Sequence, residues 1–306
     1  MRHGAPMTTA PRMGPAEWGL LVLLSLVWGG SFLFGRVAVQ EVPPMTLVLL
    51  RVGLAAVALN LWLLFCARHA GRLPWRNFLV MGLLNNIVPF GLIFIGQQEI
   101  GAGLAAIVNA LTPVWSMLFA HRLTADERLS THKVVGVALG LAGVAVLVGS
   151  AAWAGLSASA WAQLAVVGAT ISYGLASVFG RRFAGLPAVQ TARGQLTAST
   201  LLMIPIAAVA DRFWTLTLPG VAATISIILL AVVCTAWAYI LFFTILQRAG
   251  AVNAALVTLL IPPSAAFLGF LFLGETLALR HLAGMALILA GLIAIDGRLA
   301  KRLAWR

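Results

Sequence analysis

The sequence predicts an all-α membrane protein: ten transmembrane helices arranged as two inverted five-helix repeats around a central cavity. Three observations carry that expectation. Of the 306 residues, 61% are apolar and 9% charged, and the mean hydropathy is +1.02; a soluble domain is roughly 45–50% apolar and about 25% charged. The apolar residues fall in runs of the roughly 20 residues that a helix needs to cross hydrocarbon. The second half of the chain then repeats motifs of the first.

The runs lie near 17–39, 45–66, 76–96, 101–121, 132–149, 159–179, 187–209, 219–247, 250–273 and 280–297. Pro43-Pro44, Pro74, Pro187 and Pro219 open segments, where a missing N–H is harmless. The first run has no clear small-residue cleavage site, so it reads as a retained helix and not as a signal peptide. The expected organisation is a cytoplasmic tail at 1–16, a first five-helix repeat at 17–149, an inverted second repeat at 159–297, and a basic cytoplasmic tail at 298–306.

A net charge of +12 and a pI near 11.6 would suggest nucleic acid in a soluble chain. Here the cations sit in short loops, so orientation in the membrane accounts for them and no nucleic-acid partner is expected. Placing the N-terminus inside puts Arg68, Arg72, Arg122, Arg128, Arg181, Arg182, Arg248 and the basic C-terminal tail on the cytoplasmic side. Only Arg212 and Arg280 fall outside, so both termini are expected in the cytoplasm. Cys66 and Cys234 allow no disulfide framework or zinc spacing and read as small core hydrophobes.

The repeat is specific. Gly101-Ala-Gly-Leu-Ala-Ala-Ile-Val-Asn-Ala-Leu-Thr-Pro113 aligns without a gap on Gly250 to Pro262. Glu127 then aligns with Glu275, the Leu-Ala-Gly at 141–143 with that at 289–291, and Trp28-Gly29 with Tyr173-Gly174. Five helices is an odd number, so the second copy would be upside down relative to the first. Inverted repeats are the architecture of alternating-access carriers, with the substrate near the midplane at the repeat interface.

All eight acidic residues and all five histidines fall at segment ends or in loops under these boundaries. Proton relays commonly use intramembrane carboxylates and histidines, so facilitated transport is favoured over carboxylate-based antiport. The same distribution supplies no nucleophile–base pair and no metal cluster. No enzyme activity, cofactor or metal is expected.

Polar and aromatic residues within the runs are the pocket candidates: Trp28, Asn85, Asn86, Asn109, Trp115, Tyr173, Trp237, Tyr239 and Thr258. Asn85 and Asn86 weigh most, because an Asn pair in hydrocarbon is costly unless bonded or wet. Tyr and Trp offer rings to a planar substrate together with a polar tip. Arg51 and Arg193 lie on the order of 10 Å into the membrane. They stand either near the outer and inner gates, attracting a carboxylate, or in structural pairing with helix-end carbonyls. Pro89, Pro113, Pro205, Pro262 and Pro263 are expected to interrupt helices, and the paired Pro113 and Pro262 point to a shared architectural role. Gly136-xxx-Gly140 permits close helix approach, for dimerisation or for packing within the bundle.

Trp28-Gly-Gly-Ser-Phe, Arg51, the stretch Gly101-Ala-Gly-Leu-Ala to Pro113, Glu127, and the copies up to Pro262, Gly274-Glu275 and Gly284 resemble the EamA-type carriers of the drug/metabolite transporter superfamily. The resemblance covers nearly all of 17–297. It implies ten helices as two inverted repeats in a bacterial inner membrane, and export of amino acids, other metabolites or drugs. Within that family the chain as a whole is most similar to the YddG-type aromatic amino-acid exporters. That likeness implies a ring accepted by the polar-aromatic cavity and a carboxylate met by Arg51 or the Asn pair. The expected function is a facilitative exporter of small amphipathic metabolites, aromatic or other neutral amino acids first. The expected partners are that substrate and the lipid bilayer, with no obligate protein partner. The alternatives are a broad-specificity drug or metabolite exporter and a non-transporting membrane subunit.

Overall fold

The structure, a computed structural model, describes residues 13–66, 73–148, 160–273 and 279–296. Most of the two expected tails, and Glu275, lie outside the described residues. Every regular element among the described residues is helical.

The helices are α1 (Pro15–Ala38), α2 (Pro44–Cys66), α3 (Trp75–Glu99) and α4, in two pieces (Ala102–Asn109 and Thr112–Leu123). They continue with α5 (Thr131–Val148), α6 (Ala160–Phe179, prolonged by the 3-10 turn Gly180–Phe183), α7 (Ala188–Asp211) and α8 (Val221–Ala249). Last come α9, again in two pieces (Ala251–Ala255 and Val257–Leu273), and α10 (Leu279–Asp296). Seven of them are long and apolar enough to cross a membrane, and shorter apolar helices accompany these.

Local chemistry explains the ends. Pro15 sits in the first turn of α1, where its missing N–H costs nothing. Glu17 reaches back to accept the Gly14 N–H at 2.9 Å. Gly250 joins α8 to α9 at φ +87°, a left-handed conformation open to glycine at no steric cost. The N–H groups of Ala251 and Val252, which have no partner within the helix, are then capped by the buried Glu127, at 2.9 and 3.0 Å.

The predicted proline interruptions need correction. Pro205, Pro262 and Pro263 sit inside continuous helix, and the break in α9 falls earlier, at Leu256. Only Pro113 stands at a break, at the second position of the second α4 piece. Two π-helical turns, Leu83–Ile87 in α3 and Val232–Trp237 in α8, had no expectation attached. The Gly101/Gly250 register places position 83 on position 232, so the two π-turns begin at equivalent positions.

Contacts between helix ends define the direction of each helix. At one end, Glu17 at the start of α1 lies 3.6 Å from Arg248 at the end of α8. At the same end Arg181, after α6, forms a bidentate pair with Asp126, after α4. Its Nη1 also lies 3.7 Å from Glu127, the cap of α9. At the other end Asp211, closing α7, accepts from the backbone N–H and the hydroxyl of Thr46 at the start of α2, at 2.6 and 2.9 Å. Arg36, closing α1, donates to the carbonyls of Gln97 and Gln98 near the end of α3.

The two halves interlock. α5 packs along α10, α2 along α7, α3 and α4 along α6, and α1 along α8 and α9. Gly136-xxx-Gly140 serves the first of these contacts: a Cβ on Gly136 would sit 2.6 Å from the Gly291 carbonyl of α10. Packing within the bundle is therefore the use this structure makes of the motif.

Candidate functional site

A cavity lies among α1, α2, α3, α4, α6, α8 and α9. Its wall combines the rings of Trp28, Phe32, Phe90, Phe94, Tyr173, Tyr239 and Phe242 with polar groups from Ser31, Arg51, Asn85, Gln97, Asn109, Thr112, Tyr173, Ser177, Tyr239 and Thr258. Among the described residues no Asp, Glu or His lines it.

Arg51 is the charged group of the wall and is only 5% exposed. Its Nε donates to Thr235 Oγ1 at 2.7 Å and its Nη2 to Ser31 Oγ at 3.2 Å. The guanidinium carbon stands 3.7 Å from the centroid of the Phe90 ring, a cation–π contact, and 5.8 Å from that of Phe94. No carboxylate among the described residues forms an ion pair with it. The π-turn of α8 supplies two of the acceptors, Thr235 Oγ1 and the Cys234 carbonyl. Thr235 gives its own hydroxyl proton to Leu230, five residues back, at 2.6 Å and so offers its oxygen to Arg51. The Cys234 carbonyl in the same turn takes the Trp28 Nε1–H at 3.1 Å and Arg51 Nη2 at 3.5 Å.

Prolines shape the wall through the carbonyls they leave free. Pro89 has no N–H to give to the carbonyl of residue 85. The Tyr239 hydroxyl takes its place, lying 2.9 Å from the Asn85 carbonyl and 2.6 Å from Asn86 Oδ1. Pro113 stands in the same relation to Asn109, whose carbonyl accepts from Thr112 Oγ1 at 2.8 Å. The Asn109 side-chain oxygen and Gln97 Oε1 are buried without a hydrogen-bond partner. Both residues are in the wall, where buried acceptors of this kind suit a ligand or water.

An aromatic plug lies between this wall and the Glu127 end. Phe78 of α3 stacks on Phe183 after α6 at 5.1 Å, Phe183 meets Phe243 of α8 at 6.5 Å, and Phe243 meets Tyr239 at 6.0 Å. Phe78, Phe183 and Phe243 are all buried.

The structure brings Trp28, Arg51, Asn85, Asn109, Tyr173, Tyr239 and Thr258 together in one wall. Other candidates lie elsewhere. Asn86 is fully buried behind the wall, donating to Ser199 Oγ at 2.7 Å. Trp115 stacks on Phe119 and packs against Gly174 of α6. Trp237 is 42% exposed on the bundle surface. Pro113 and Pro262 are neighbours of wall residues. Arg193 is remote from the cavity and donates through Nε to Asn60 Oδ1 at 2.7 Å.

Sequence reasoning passed over Ser31, Gln97, Phe90 and Phe94. Ser31 lies inside the Trp28-Gly-Gly-Ser-Phe run, and Gln97 is an amide one turn from Phe94, so a signal was present for both.

The EamA-like transporter family model matches the chain twice, at residues 17–149 and 160–295. The inner membrane transporter YedA of Escherichia coli is 27% identical over 285 residues, covering 91% of this chain and 90% of that one. A Streptantibioticus cattleyicolor protein named "Probable terminal-alkyne amino-acid exporter" is 28% identical over 298 residues, covering 95% and 96%. A crystal structure at 21% identity shares the fold with a TM-score of 0.71, covering 92% of this chain and 97% of that one. With both halves matched, the chain belongs to the EamA-like transporter family and is a membrane transporter.

Proposed function

We propose that the chain exports small amphipathic metabolites, aromatic or other neutral amino acids first, by alternating access and without ion coupling. The observation that carries this is Arg51: a buried guanidinium with no acidic partner among the described residues, set in an aromatic cavity wall. A buried cation of this kind favours an anion, and the α-carboxylate of an amino acid is a planar match for it. The rings of Trp28, Tyr173, Tyr239 and Phe242 would face the substrate side chain. The name of the Streptantibioticus relative supports an amino acid, and the aromatic wall supports a YddG-like preference for rings.

In this reading α1–α5 (17–149) and α6–α10 (159–297) are two inverted repeats in a bacterial inner membrane, with both termini in the cytoplasm. The alternating helix directions at the two ends support it, as do the equivalent π-turns and the double family match. The Glu127 end is then cytoplasmic, and the aromatic plug is the inner gate. Trp28, Asn85, Asn109, Tyr173, Tyr239 and Thr258 contact the substrate, while Pro113 and Pro262 shape the helices beside it. That no Asp, Glu or His among the described residues lines the wall supports uncoupled transport.

Flux of a labelled aromatic amino acid in proteoliposomes, with and without a pH gradient, tests the proposal. Saturable flux that only dissipates the substrate gradient is expected, and Arg51→Gln weakens its apparent substrate affinity. Uphill movement driven by the pH gradient would overturn the uncoupled mechanism. Flux of hydrophobic cations, in the absence of amino-acid flux, would replace the amino-acid reading with the drug exporter.

A further inference from the structure

We propose that Arg193 and Asn60 form a binding site for the phosphate of an anionic phospholipid, on the flank of the bundle between α2 and α7. Arg193 is five residues past the start of α7, so about 7.5 Å along it. Asn60 is six residues before the end of α2, about 9 Å back. The two helices pack against each other, so the residues meet at one level near one end of the bundle.

Both residues point away from the cavity. Helical spacing puts Arg193 in one stripe with Thr197, Leu201 and Ile204, and the last two are exposed. Asn60 shares a stripe with exposed Val57, Leu61 and Leu64. In a membrane these stripes face acyl chains.

A guanidinium on such a surface requires an anion or water. Arg193 has no ion-pair partner among the described residues. Among the described residues its hydrogen bond goes to the neutral Asn60 Oδ1. Asn60 is itself held by donating to the Ala56 carbonyl at 2.8 Å and to Thr197 Oγ1 at 3.1 Å. The amide therefore fixes the guanidinium by its Nε edge and leaves the terminal nitrogens for a ligand. A guanidinium fork takes a phosphate through two parallel hydrogen bonds.

Depth selects the occupant. A long side chain anchored at this level reaches the headgroup layer while its stem lies along apolar surface. Trp75, 44% exposed, marks that layer at the same end. Its ring meets Phe78, which packs against Gly194, the neighbour of Arg193. An anionic phospholipid satisfies both the guanidinium and the apolar stripes beneath it, which a free phosphate cannot do. The site is separate from the cavity, so its test does not depend on the substrate.

The test uses the full-length protein in detergent with equimolar phosphatidylglycerol and phosphatidylcholine, and counts retained lipid by native mass spectrometry. Wild type is expected to retain phosphatidylglycerol preferentially. Arg193→Gln lowers that preference about tenfold, the loss of a charge-assisted contact, and Arg193→Lys keeps part of it. Millimolar inorganic phosphate leaves the bound lipid in place; displacement by phosphate would assign the site to a free anion and overturn the lipid. Equal preference in wild type and a monodisperse Arg193→Gln protein would overturn the site. Should that variant aggregate, Asn60→Leu decides, because it releases the guanidinium and keeps the charge: an unchanged preference there also overturns the site.

Discussion

The Arg51 guanidinium lies 3.7 Å from the centroid of the Phe90 ring while its Nε–H is held by Thr235 Oγ1 on the opposite helix. A cation clamped between a ring and a hydroxyl keeps its remaining donors available to the cavity. Arg51→Gln removes the charge and keeps a polar side chain of lesser reach. Losing one partner of a desolvated charge pair costs about 2–5 kcal/mol, so apparent affinity for an amino acid should fall at least about 30-fold. Arg51→Lys restores the charge without the fork and should recover only part. Competition by the decarboxylated amine of the same substrate checks the assignment: the amine should compete poorly with wild type, and equal competition would remove Arg51 from carboxylate recognition.

Tyr239 and Asn86 make a different prediction, about stability. Asn86 is fully buried and its Oδ1 takes the Tyr239 proton, so Tyr239→Phe strands a buried acceptor. Such a group costs about 1–3 kcal/mol. The midpoint of thermal unfolding in detergent should drop by several degrees in Tyr239→Phe. Asn86→Leu in the same background should recover part of the loss, because both ends of the interaction are then gone. Additive losses would show that the two side chains do not act on each other.

Gly136 and Gly291 let α5 and α10 approach closely. A Cβ on Gly291 would lie 2.5 Å from the Gly136 carbonyl and 2.7 Å from the Gly140 backbone nitrogen. Neither backbone atom has room to give way, so Gly291→Leu must separate α5 from α10. The expected outcome is a sharp fall in monodisperse protein on size exclusion. Gly101→Ala is the control, because a Cβ there meets nothing within 4 Å and the protein should behave as wild type.

Composition and periodicity were enough to place most helix ends within a few residues, because length and hydropathy are properties of single segments. The predicted 17–39 is Pro15–Ala38, and the predicted 187–209 is Ala188–Asp211. Internal irregularity was not legible. The π-turns at Leu83–Ile87 and Val232–Trp237 are tied to side-chain hydrogen bonds that the apolar pattern does not record: Thr235 donates to the Leu230 carbonyl of its own helix and accepts from Arg51, and the Tyr239 hydroxyl donates to the Asn85 carbonyl. In the wall, Arg51 and Asn109 stood out because charge and amides are rare in apolar runs. Phe90 and Phe94 could not stand out, since an aromatic ring looks the same in sequence whether it faces lipid, core or cavity. Asn86 and Arg193 show the converse: polarity flagged both, yet one is satisfied in the core and the other is half-buried away from the cavity, bonded to Asn60.

The Asp126–Arg181 pair predicts how the Glu127 end responds to acid. Two hydrogen bonds from Arg181 hold the Asp126 carboxyl below the usual carboxylate range. A group whose folded value is depressed stabilises the folded state above its unfolded value, about 3.9 for Asp, and loses that contribution as pH falls through the folded value. Between pH 5 and 8 the pair is therefore intact, and labelling of a cysteine placed at this end should be flat with pH. Asp126→Asn should increase labelling throughout that window, and the difference from wild type should shrink as the pH drops below about 4. High salt should narrow the gap as well, because both side chains are partly exposed and screened. A wild-type labelling curve that changes between pH 5 and 8 would mean that a group other than the Asp126–Arg181 pair controls this end of the bundle.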